Sequence, residues 1–377
     1  MRDNSPSTKL DSLFDWLALE RIPRVGPLTM ARLIDAFGSP RSAMSASAEE
    51  IRRRTGLSEN LARSIAESVP AGDQIAGDLE ALDRLHSRVI TRWDQDYPAN
   101  LKDIYDPPAI LFMRGQIVPE DSRAVAVVGT RNPSRYGREI AETLARELAG
   151  AGVTIVSGLA RGIDTVCHAA ALKAGGRTIG VLGCGIDVKY PKENGALMEQ
   201  MAVSGAVITE FRPGIRPLAT NFFRRNRIVS GLSRGVVVIE ASRNSGSLIT
   251  AEHALDQNRD VFAVPGNILN VRARGCHYLI KQGAGLVESA QDVLDAVFGS
   301  GPVEQQVPLF RYAAEAEGLS DTASRVLAEI DPDPVSIDAL CESLGMEPGK
   351  LAGILLELEL KGLVRQAPGK LFARATV

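Results

Sequence analysis

The sequence predicts an α/β fold: a Rossmann-like, doubly wound, mostly parallel sheet flanked by a small N-terminal helical domain and a C-terminal winged-helix domain. Three observations predict it. Between residues 73 and 298, apolar runs of strand length alternate with helical segments. Residues 1–72 carry short helical patterns separated by glycine and proline, and residues 320–377 read as three helices and a hairpin. A length of 377 residues also exceeds the usual size of one core.

The composition is that of an ordinary globular protein, with 45% hydrophobic and 24% charged residues. No apolar run approaches the roughly 20 residues of a membrane span, and the N-terminus lacks the pattern of a secretory signal, so we expect a cytoplasmic protein without membrane contact. The four cysteines form no CxxC pair, and we expect neither metal nor cofactor. Because the net charge is −3, any nucleic-acid surface must be a local patch.

The first predicted domain, residues 1–72, resembles two helix-hairpin-helix units or a SAM-like helical bundle. The turns Val25-Gly26-Pro27 and Thr55-Gly56-Leu57 each precede a helical pattern. In such a hairpin the backbone N–H groups and the following helix N-terminus can hold a DNA phosphate. Acidic and basic residues are about balanced here, so a protein-interaction bundle fits the sequence equally well.

The second predicted domain, residues 73–298, contains six continuous apolar runs. Such runs are typical of strands buried on both faces of a parallel sheet. The residues before the first run are expected to add edge strands. The runs cover residues 123–129, 153–158, 177–183, 205–210, 235–241 and 260–266.

Small, hydroxylated and basic residues follow several of these strands. Open α/β sheets bind ligands at the carboxyl ends of their strands, where loops meet helix N-termini. Glycine lets a backbone approach a phosphate closely, although tight turns favour glycine as well. Because several such loops share one sheet edge, the sequence predicts an anion site formed by Gly129, Thr130, Arg131, Ser157, Gly158, Arg161, Ser245, Gly246 and Ser247.

The bound phosphate is predicted to belong to a polymer. The first strand is followed by neither GxGxxG nor a Walker lysine motif, which argues against a dinucleotide or a nucleoside triphosphate. Residues 212–234 contain six arginines and no acidic residue. Phe222 and Phe223 offer ring faces for unpaired bases, and by spacing one of the two is expected to be exposed while the other packs in the core.

The span from Pro98 to Val297 resembles the DNA-processing protein A family, called DprA or Smf. The resemblance rests on six blocks in order: VVGTRNPSRYG, SGLARGIDTVCHAAAL, GCGIDVKYPKEN, FFRRNRIVSGLSRGVVVIEASRNSGSLITAEHAL, NRDVFAVPGNI and GCHYLIKQGA. It implies an extended Rossmann-like domain that binds single-stranded DNA without strict sequence preference. It further implies that the protein protects single strands, loads the RecA recombinase, notably in natural transformation, and forms a homodimer.

The resemblance also assigns individual residues. Arg131 matches the arginine of the family's G-[ST]-R loop, a phosphate contact, and Lys192 matches the lysine of its YPK stretch. Phe223 stands where the family usually has proline. The remaining predicted DNA contacts are Phe222, Arg225 and Asn226 of the F-P-x-R-N-R block, the neighbouring Arg227, and Thr250 of the SGSLIT loop.

The sequence predicts no enzymatic activity. His168 follows Asp164 by one helical turn and His253 follows Glu252, while Ser157, which precedes a glycine, does not lie in a G-x-S-x-G nucleophile motif. A nucleoside-monophosphate phosphoribohydrolase is the enzyme alternative, yet its P-G-G-x-G-T-x-x-E loop does not match SGSLITAE. A protein-interaction scaffold with vestigial phosphate loops is the other alternative.

Residues 299–319 read as a linker that precedes the winged-helix domain of residues 320–377. That domain contains six basic and nine acidic residues. Attraction to phosphate is therefore weak, and we expect a protein-contact or regulatory role in place of duplex binding.

Overall fold

The computed structural model describes residues 6–299, 319–330, 335–367 and 371–374. The chain divides into two compact units, Met1–Gly301 and Pro302–Val377. The predicted helical and sheet domains therefore lie within one unit. The predicted linker, residues 299–319, falls almost entirely outside the described residues.

Six helices precede the sheet, and local signals in the sequence set their ends. The side chains of Ser47 and Ser58 accept hydrogen bonds from backbone N–H groups and so cap two helix N-termini. Gly38 and Gly56 end helices in the left-handed conformation, at φ +79° and +69°. The helices are α1 (Pro6–Arg21), α2 (Pro27–Phe37), α3 (Pro40–Met44), α4 (Ala48–Thr55), α5 (Glu59–Ala66) and α6 (Gly72–Arg84).

The sheet has nine strands in the order β1-β2-β6-β5-β4-β3-β7-β8-β9. All neighbouring pairs from β6 to β9 are parallel, whereas β1 and β2 are antiparallel additions at one edge. The prediction of a mostly parallel, doubly wound sheet is confirmed. The strands are β1 (Arg88–Thr91), β2 (Ile110–Gly115), β3 (Ala124–Gly129), β4 (Thr154–Ser157), β5 (Thr178–Val181), β6 (Ala206–Thr209), β7 (Gly235–Ile239), β8 (Asp260–Ala263) and β9 (Gly285–Leu286).

Helices cover both faces of the sheet. Along β3, Val125 and Val127 pack into the core on one face, while Ala126 and Val128 pack into the core on the other. The strand order reverses between β3 and β7, and ligands bind at such a switch point in open α/β sheets. The helices are α7 (Ala99–Lys102), α8 (Arg135–Gly150), α9 (Ile163–Lys173), α10 (Gly195–Ser204), α11 (Ala219–Gly231), α12 (Gly246–Asp256), α13 (Arg274–Lys281) and α14 (Ala290–Phe298).

The N-terminal helices share a hydrophobic core with the sheet domain. Leu17 and Ile65 belong to the same buried cluster as Phe112 of β2, Leu182 after β5 and Met198 of α10. The helical segment therefore completes one side of the sheet.

The second unit has the predicted winged-helix architecture. Three helices pack around Val326, Leu340 and Leu355, and Phe372 adds the sheet to that core. The turn of the predicted hairpin, residues 368–370, lies outside the described residues. The elements are α15 (Asp321–Ala328), β10 (Val335–Ser336), α16 (Ile337–Leu344), α17 (Pro348–Leu360), β11 (Val364–Ala367) and β12 (Leu371–Arg374).

Among the helices of the described residues, none combines the length and the apolar character that a membrane span requires.

Candidate nucleic-acid interface

A groove of about 480 Å³ lies at the switch point, between the loops that follow β3, β4 and β7 and the exposed side of α11. A smaller compartment of about 290 Å³ adjoins it and shares Arg131, Tyr190 and Phe222 as walls. The sheet edge thus brings most of the predicted site together. The predicted residues that line the larger groove are Gly129, Arg131, Gly158, Phe222, Phe223, Arg225, Asn226, Ser245, Gly246, Ser247 and Thr250.

The loop after β3 presents Arg131 to the groove. Gly129 must be glycine, because a Cβ there would lie 2.0 Å from the backbone oxygen of Ile239. Thr130 shapes the turn: its N–H donates to the carbonyl of Glu240 at 2.8 Å, and its hydroxyl accepts from the N–H of Asn132 at 3.2 Å. The Arg131 side chain is exposed, with its guanidinium 5.6 Å from the ring centroid of Phe222.

Arg225 lies beneath the groove and forms part of its floor. The residue is only 5% exposed, and its Nη1 donates hydrogen bonds to the carbonyls of Gly158 and Val181. Burial lowers the pKa of Arg225 to about 10, against the opposing effect of Asp164, so the guanidinium stays charged at neutral pH. Arg225 therefore ties the loop after β4 to β5 while placing a positive charge under the groove.

Two predicted contacts, Arg227 and Ser157, serve the fold. Arg227 lies two positions beyond Arg225, on a different side of α11, where its Nη2 is 2.6 Å from Glu210 Oε2 and its Nε is 3.1 Å from Asp106 Oδ2. Ser157 is fully buried and donates to the carbonyl of Val127 at 2.6 Å. These positions correct the prediction that the two side chains contact DNA.

The two phenylalanines have different environments. Phe223 is 53% exposed and faces the larger groove, in line with the expectation of one exposed ring. Phe222 is half-buried, but it lines the groove too, with its ring centroid 5.6 Å from that of Tyr190. Gly183 makes room for it, since a Cβ there would lie 2.7 Å from the ring. The sequence interpretation missed Tyr190, although it is the tyrosine of the YPK stretch that contains Lys192.

Lys192 and Arg161 lie at the outer rim. Lys192 is exposed and begins a 3-10 turn, Lys192–Asn194, directly after Pro191, which lines the smaller compartment. Arg161 lines the same compartment and donates a hydrogen bond to Glu193, which raises the pKa of the guanidinium.

The third wall is the N-terminal turn of α12. Ser245 caps the helix, and its hydroxyl lies 2.7 Å from that of Ser247. Asn226 Nδ2 donates to the carbonyl of Gly246 at 3.2 Å and so fixes α11 against this turn. Ser247 and Thr250 are buried, whereas Gly246 is exposed. The positive end of the helix dipole therefore faces the groove.

Of the candidate catalytic residues, Asp164 and His168 are buried, His253 is half-buried and Glu252 is exposed. Asp164 lines the groove, accepts from the N–H groups of Gly158 and Ala160 at 3.1 and 3.2 Å, and has its pKa raised by burial. His168 is fully buried, its Nδ1 is 2.6 Å from Thr178 Oγ1, and burial lowers its pKa to about 3. Asp164 thereby holds the loop after β4, whereas His168 joins α9 to the start of β5. Within the described ranges, no cluster of three or more His, Cys, Asp or Glu could hold a metal ion.

Comparison with known sequences identifies the family. The sequence model of the DNA recombination-mediator protein A family matches residues 88–298, more than half of the chain. The chain belongs to this family. Separate models match the flanking segments: the DprA-like N-terminal HHH domain over residues 11–64 and the DprA winged helix domain over residues 311–370.

Individual DprA and Smf proteins are similar over most of their length. Protein Smf of Synechocystis is 33% identical over 95% of this chain and 98% of its own. The X-ray structure of DprA from Streptococcus pneumoniae aligns with a TM-score of 0.67 and 36% identity, over 75% of this chain and 97% of that one. DprA from Helicobacter pylori, whose single-stranded DNA binding mode has been described structurally, aligns with a TM-score of 0.51 and 30% identity, over 57% and 97%.

Proposed function

We propose that the chain binds single-stranded DNA, without sequence preference, in the groove at the switch point. One observation carries the proposal: an exposed arginine, an exposed phenylalanine and a helix N-terminus converge on one concave surface. Arg131 and the N-terminal turn of α12 suit phosphates, and Phe223 suits an unpaired base.

The strand is proposed to run from the rim into the groove. Phosphates would contact Lys192 and Arg161 at the rim and Arg131 at the centre, above the buried charge of Arg225. Bases would stack on Phe223 and on the Tyr190–Phe222 pair, each stack contributing ~1 to 3 kcal/mol. The single-stranded DNA binding of the Helicobacter pylori relative supports single-strand binding by this chain.

The test is the anisotropy of a labelled oligo-dT of about 20 nucleotides, and of its duplex, at several salt concentrations. Preferential binding of the single strand is expected, with log affinity falling linearly in log salt. Each lost phosphate contact should reduce that slope by about 0.7, so Arg131→Ala should give a shallower line. Equal affinity for the duplex would contradict the proposal.

As a family member, the protein is further proposed to be a cytoplasmic recombination mediator that protects single strands and loads RecA, as in natural transformation, and to act as a homodimer. RecA ATPase activity on DNA coated with single-strand-binding protein should rise when the chain is added. Light scattering coupled to size exclusion should give twice the chain's mass of 40.3 kDa. No stimulation of RecA ATPase activity would contradict the mediator role, and a monomer at all concentrations would contradict the homodimer.

The function is proposed to involve no catalytic step. His168 is fully buried and Asp164 is occupied by two backbone N–H groups, so neither is placed for proton transfer to a bound ligand. AMP incubated with the protein should release no ribose 5-phosphate. Release of ribose 5-phosphate would support the phosphoribohydrolase alternative.

A further inference from the structure

The loop that follows β8, residues 264–273, lies directly beside the loop that carries Arg131. The Nε of Arg272 donates a hydrogen bond to the carbonyl oxygen of Asn132 at 2.9 Å. Both residues are exposed, and Asn132 is the chain neighbour of Arg131, which lines the groove. The wall of the groove and the loop after β8 therefore share one continuous stretch of surface.

A buried carboxylate holds the two loops together. Glu240 is 4% exposed, and its Oε1 accepts hydrogen bonds from the hydroxyl of Ser134 at 2.5 Å and from Nδ2 of Asn270 at 3.3 Å. Tyr136 adds a second link, because its hydroxyl donates to the carbonyl of Pro265 at 2.9 Å. The exposed side chains of the loop after β8 are therefore held in a fixed position beside the groove.

The turn before α12, another wall of the groove, reaches the same surface. The N–H of Gly275 in α13 donates to the carbonyl of Ala241 at 2.7 Å. Two residues further along, the Arg243 guanidinium lies 5.0 Å from the ring centroid of Tyr278, which is 40% exposed. Ser245, two residues beyond Arg243, lines the groove. The loop after β3 and the turn before α12 thus both continue from the groove to the region of the loop after β8.

The three segments that meet here carry positive charge only. Residues 129–134, 241–247 and 264–278 contain four basic residues and no acidic residue, whereas the whole chain has a net charge of −3. All four basic side chains are exposed. A local patch of this kind attracts a polyanion even when the net charge of the protein is negative. The four residues are Arg131, Arg243, Arg272 and Arg274.

Ile268 and Leu269 place apolar side chains in this charged surface. They are 79% and 83% exposed, and the N–H of Leu269 donates to Oδ1 of Asn267 at 2.9 Å, which forms a turn. Exposed apolar side chains flanked by arginines match a strand with unpaired bases, because its phosphates are anionic and the faces of its bases are apolar. In a duplex those faces are stacked on one another. The combination therefore favours a single strand.

We propose that these residues form a second contact surface, the β8 surface, for the nucleotides of a single strand that extend beyond the groove. The β8 surface consists of Arg243, Ile268, Leu269, Arg272 and Arg274. The inference rests on the proposed binding of single-stranded DNA in the groove and enlarges that site. The arginines contact phosphates, and Ile268 and Leu269 lie against a base. Since every nucleotide offers both groups, the longer site has no sequence preference.

The test measures the anisotropy of labelled oligo-dT of about 6 and about 16 nucleotides at several salt concentrations, with the full chain. The double variant Arg243→Ala/Arg274→Ala should bind the longer oligomer about tenfold more weakly and the shorter one within about twofold of the wild type. For the longer oligomer, its plot of log affinity against log salt should be shallower by about 1.4, at about 0.7 for each lost phosphate contact. Arg272 is kept in this variant, because it also holds the loop after β3 through Asn132.

Three further variants locate the effect. Arg131→Ala, in the groove, should weaken binding of both oligomers by the same factor, whereas Arg146→Ala of α8, 59% exposed, should bind both as the wild type does. The double variant Ile268→Ser/Leu269→Ser should weaken binding of the longer oligomer about fivefold without changing its salt dependence, because an apolar contact releases no counterions. All variants should melt at the temperature of the wild type, since the replaced side chains are exposed.

Four outcomes overturn the proposal. Full affinity of Arg243→Ala/Arg274→Ala for the longer oligomer would mean that length helps only by spanning two protomers. Equal weakening of both oligomers in this variant would mean that the two arginines support the groove. If the wild type binds neither oligomer, the proposed groove binding fails as well. If Ile268→Ser/Leu269→Ser keeps full affinity for the longer oligomer and lowers the mass measured by light scattering, the two apolar residues belong to a contact between protein chains.

Discussion

Arg131 and Arg225 bring the same charge to the groove from different depths. Arg131 is exposed on the loop after β3, whereas Arg225 is buried and holds two backbone carbonyls. The first can leave its position to meet a phosphate; the second cannot move without breaking contacts between β4 and β5. Substitution of Arg131 should therefore affect DNA binding alone, whereas substitution of Arg225 should affect both binding and stability.

Replacing Arg131 with alanine should weaken single-strand binding by ~1.5 to 3 kcal/mol, the range for hydrogen bonds to charged groups. The melting temperature should change little, because the side chain is exposed. Arg146→Ala, near the C-terminal end of α8 and 59% exposed, is the matched control and should bind as wild type. Anisotropy and thermal melting of the three proteins check this, and parallel loss of fold and binding in Arg131→Ala would make that arginine structural.

Replacing Arg225 with alanine should cost both binding and stability. The change removes the donor to two carbonyls and the positive charge near the buried Asp164, and each buried acceptor left unsatisfied costs about 1 to 3 kcal/mol. Chemical denaturation measures the loss. A normal denaturation midpoint together with weak DNA binding would instead mean that Arg225 acts as a phosphate contact.

His168 should make stability depend on pH. Its folded pKa of about 3 lies below the usual 6.5, so the unfolded chain binds a proton that the folded chain does not. Stability from this group is complete above pH 6.5 and is lost toward pH 3, at up to about 1.4 kcal/mol per pH unit. Between pH 8 and pH 4, the free energy of unfolding measured by chemical denaturation should fall more steeply for the wild type than for His168→Asn. Parallel plots of this free energy against pH would contradict the prediction.

At the scale of the elements, the groove depends on loops whose backbones approach one another closely. Gly129 contacts the end of β7, and Gly158 packs against the Arg225 guanidinium, where a Cβ would lie 2.3 Å from Nη1. Gly246, at the start of α12, has no heavy atom within 4 Å of where its Cβ would be. The three glycines therefore have different tolerances, although the sequence shows each of them in the same kind of loop.

Gly129→Ala should destabilise the protein by at least about 3 kcal/mol, the upper end of the range for overpacking, because the clash is with backbone. Gly246→Ala should leave stability within about 0.5 kcal/mol, as for other surface substitutions. Denaturant midpoints of the two variants test the difference, and similar midpoints would show that the loop after β3 can shift to admit a methyl group.

Much of this organisation follows from sequence patterns. The six strands are predictable because each is a continuous apolar run, and the groove loops because they follow strand ends. The burial of Arg225 and Arg227 is not predictable from the sequence, because neighbouring arginines on one helix cannot be distinguished until packing partners such as Glu210 are known. Tyr190 and Asp164 join the site only through the tertiary fold.

At the scale of the whole molecule, the charged groove and the acidic winged-helix domain belong to different compact units. The second unit begins near Pro302 and has its own core. Leu356 and Leu360 of α17 are exposed apolar residues, in keeping with the proposed protein-contact role.

Deleting residues 302–377 should therefore leave single-strand affinity within about twofold, or about 0.4 kcal/mol, because no groove residue belongs to that unit. Anisotropy of the full and shortened chains in the same salt series checks this. A shallower fall of log affinity with log salt concentration in the shortened chain would show that the second unit supplies phosphate contacts.

The order of strands in the sheet also determines when the groove can exist. Its two sides follow β3 and β7, which are hydrogen-bonded neighbours although more than a hundred residues of chain lie between them. During synthesis from the N-terminus, the arginine loop after β3 emerges long before the helix turn that faces it. A nascent chain that ends before β7 thus carries exposed arginines and no binding site, and capture of DNA has to wait until the later half of the sheet has docked.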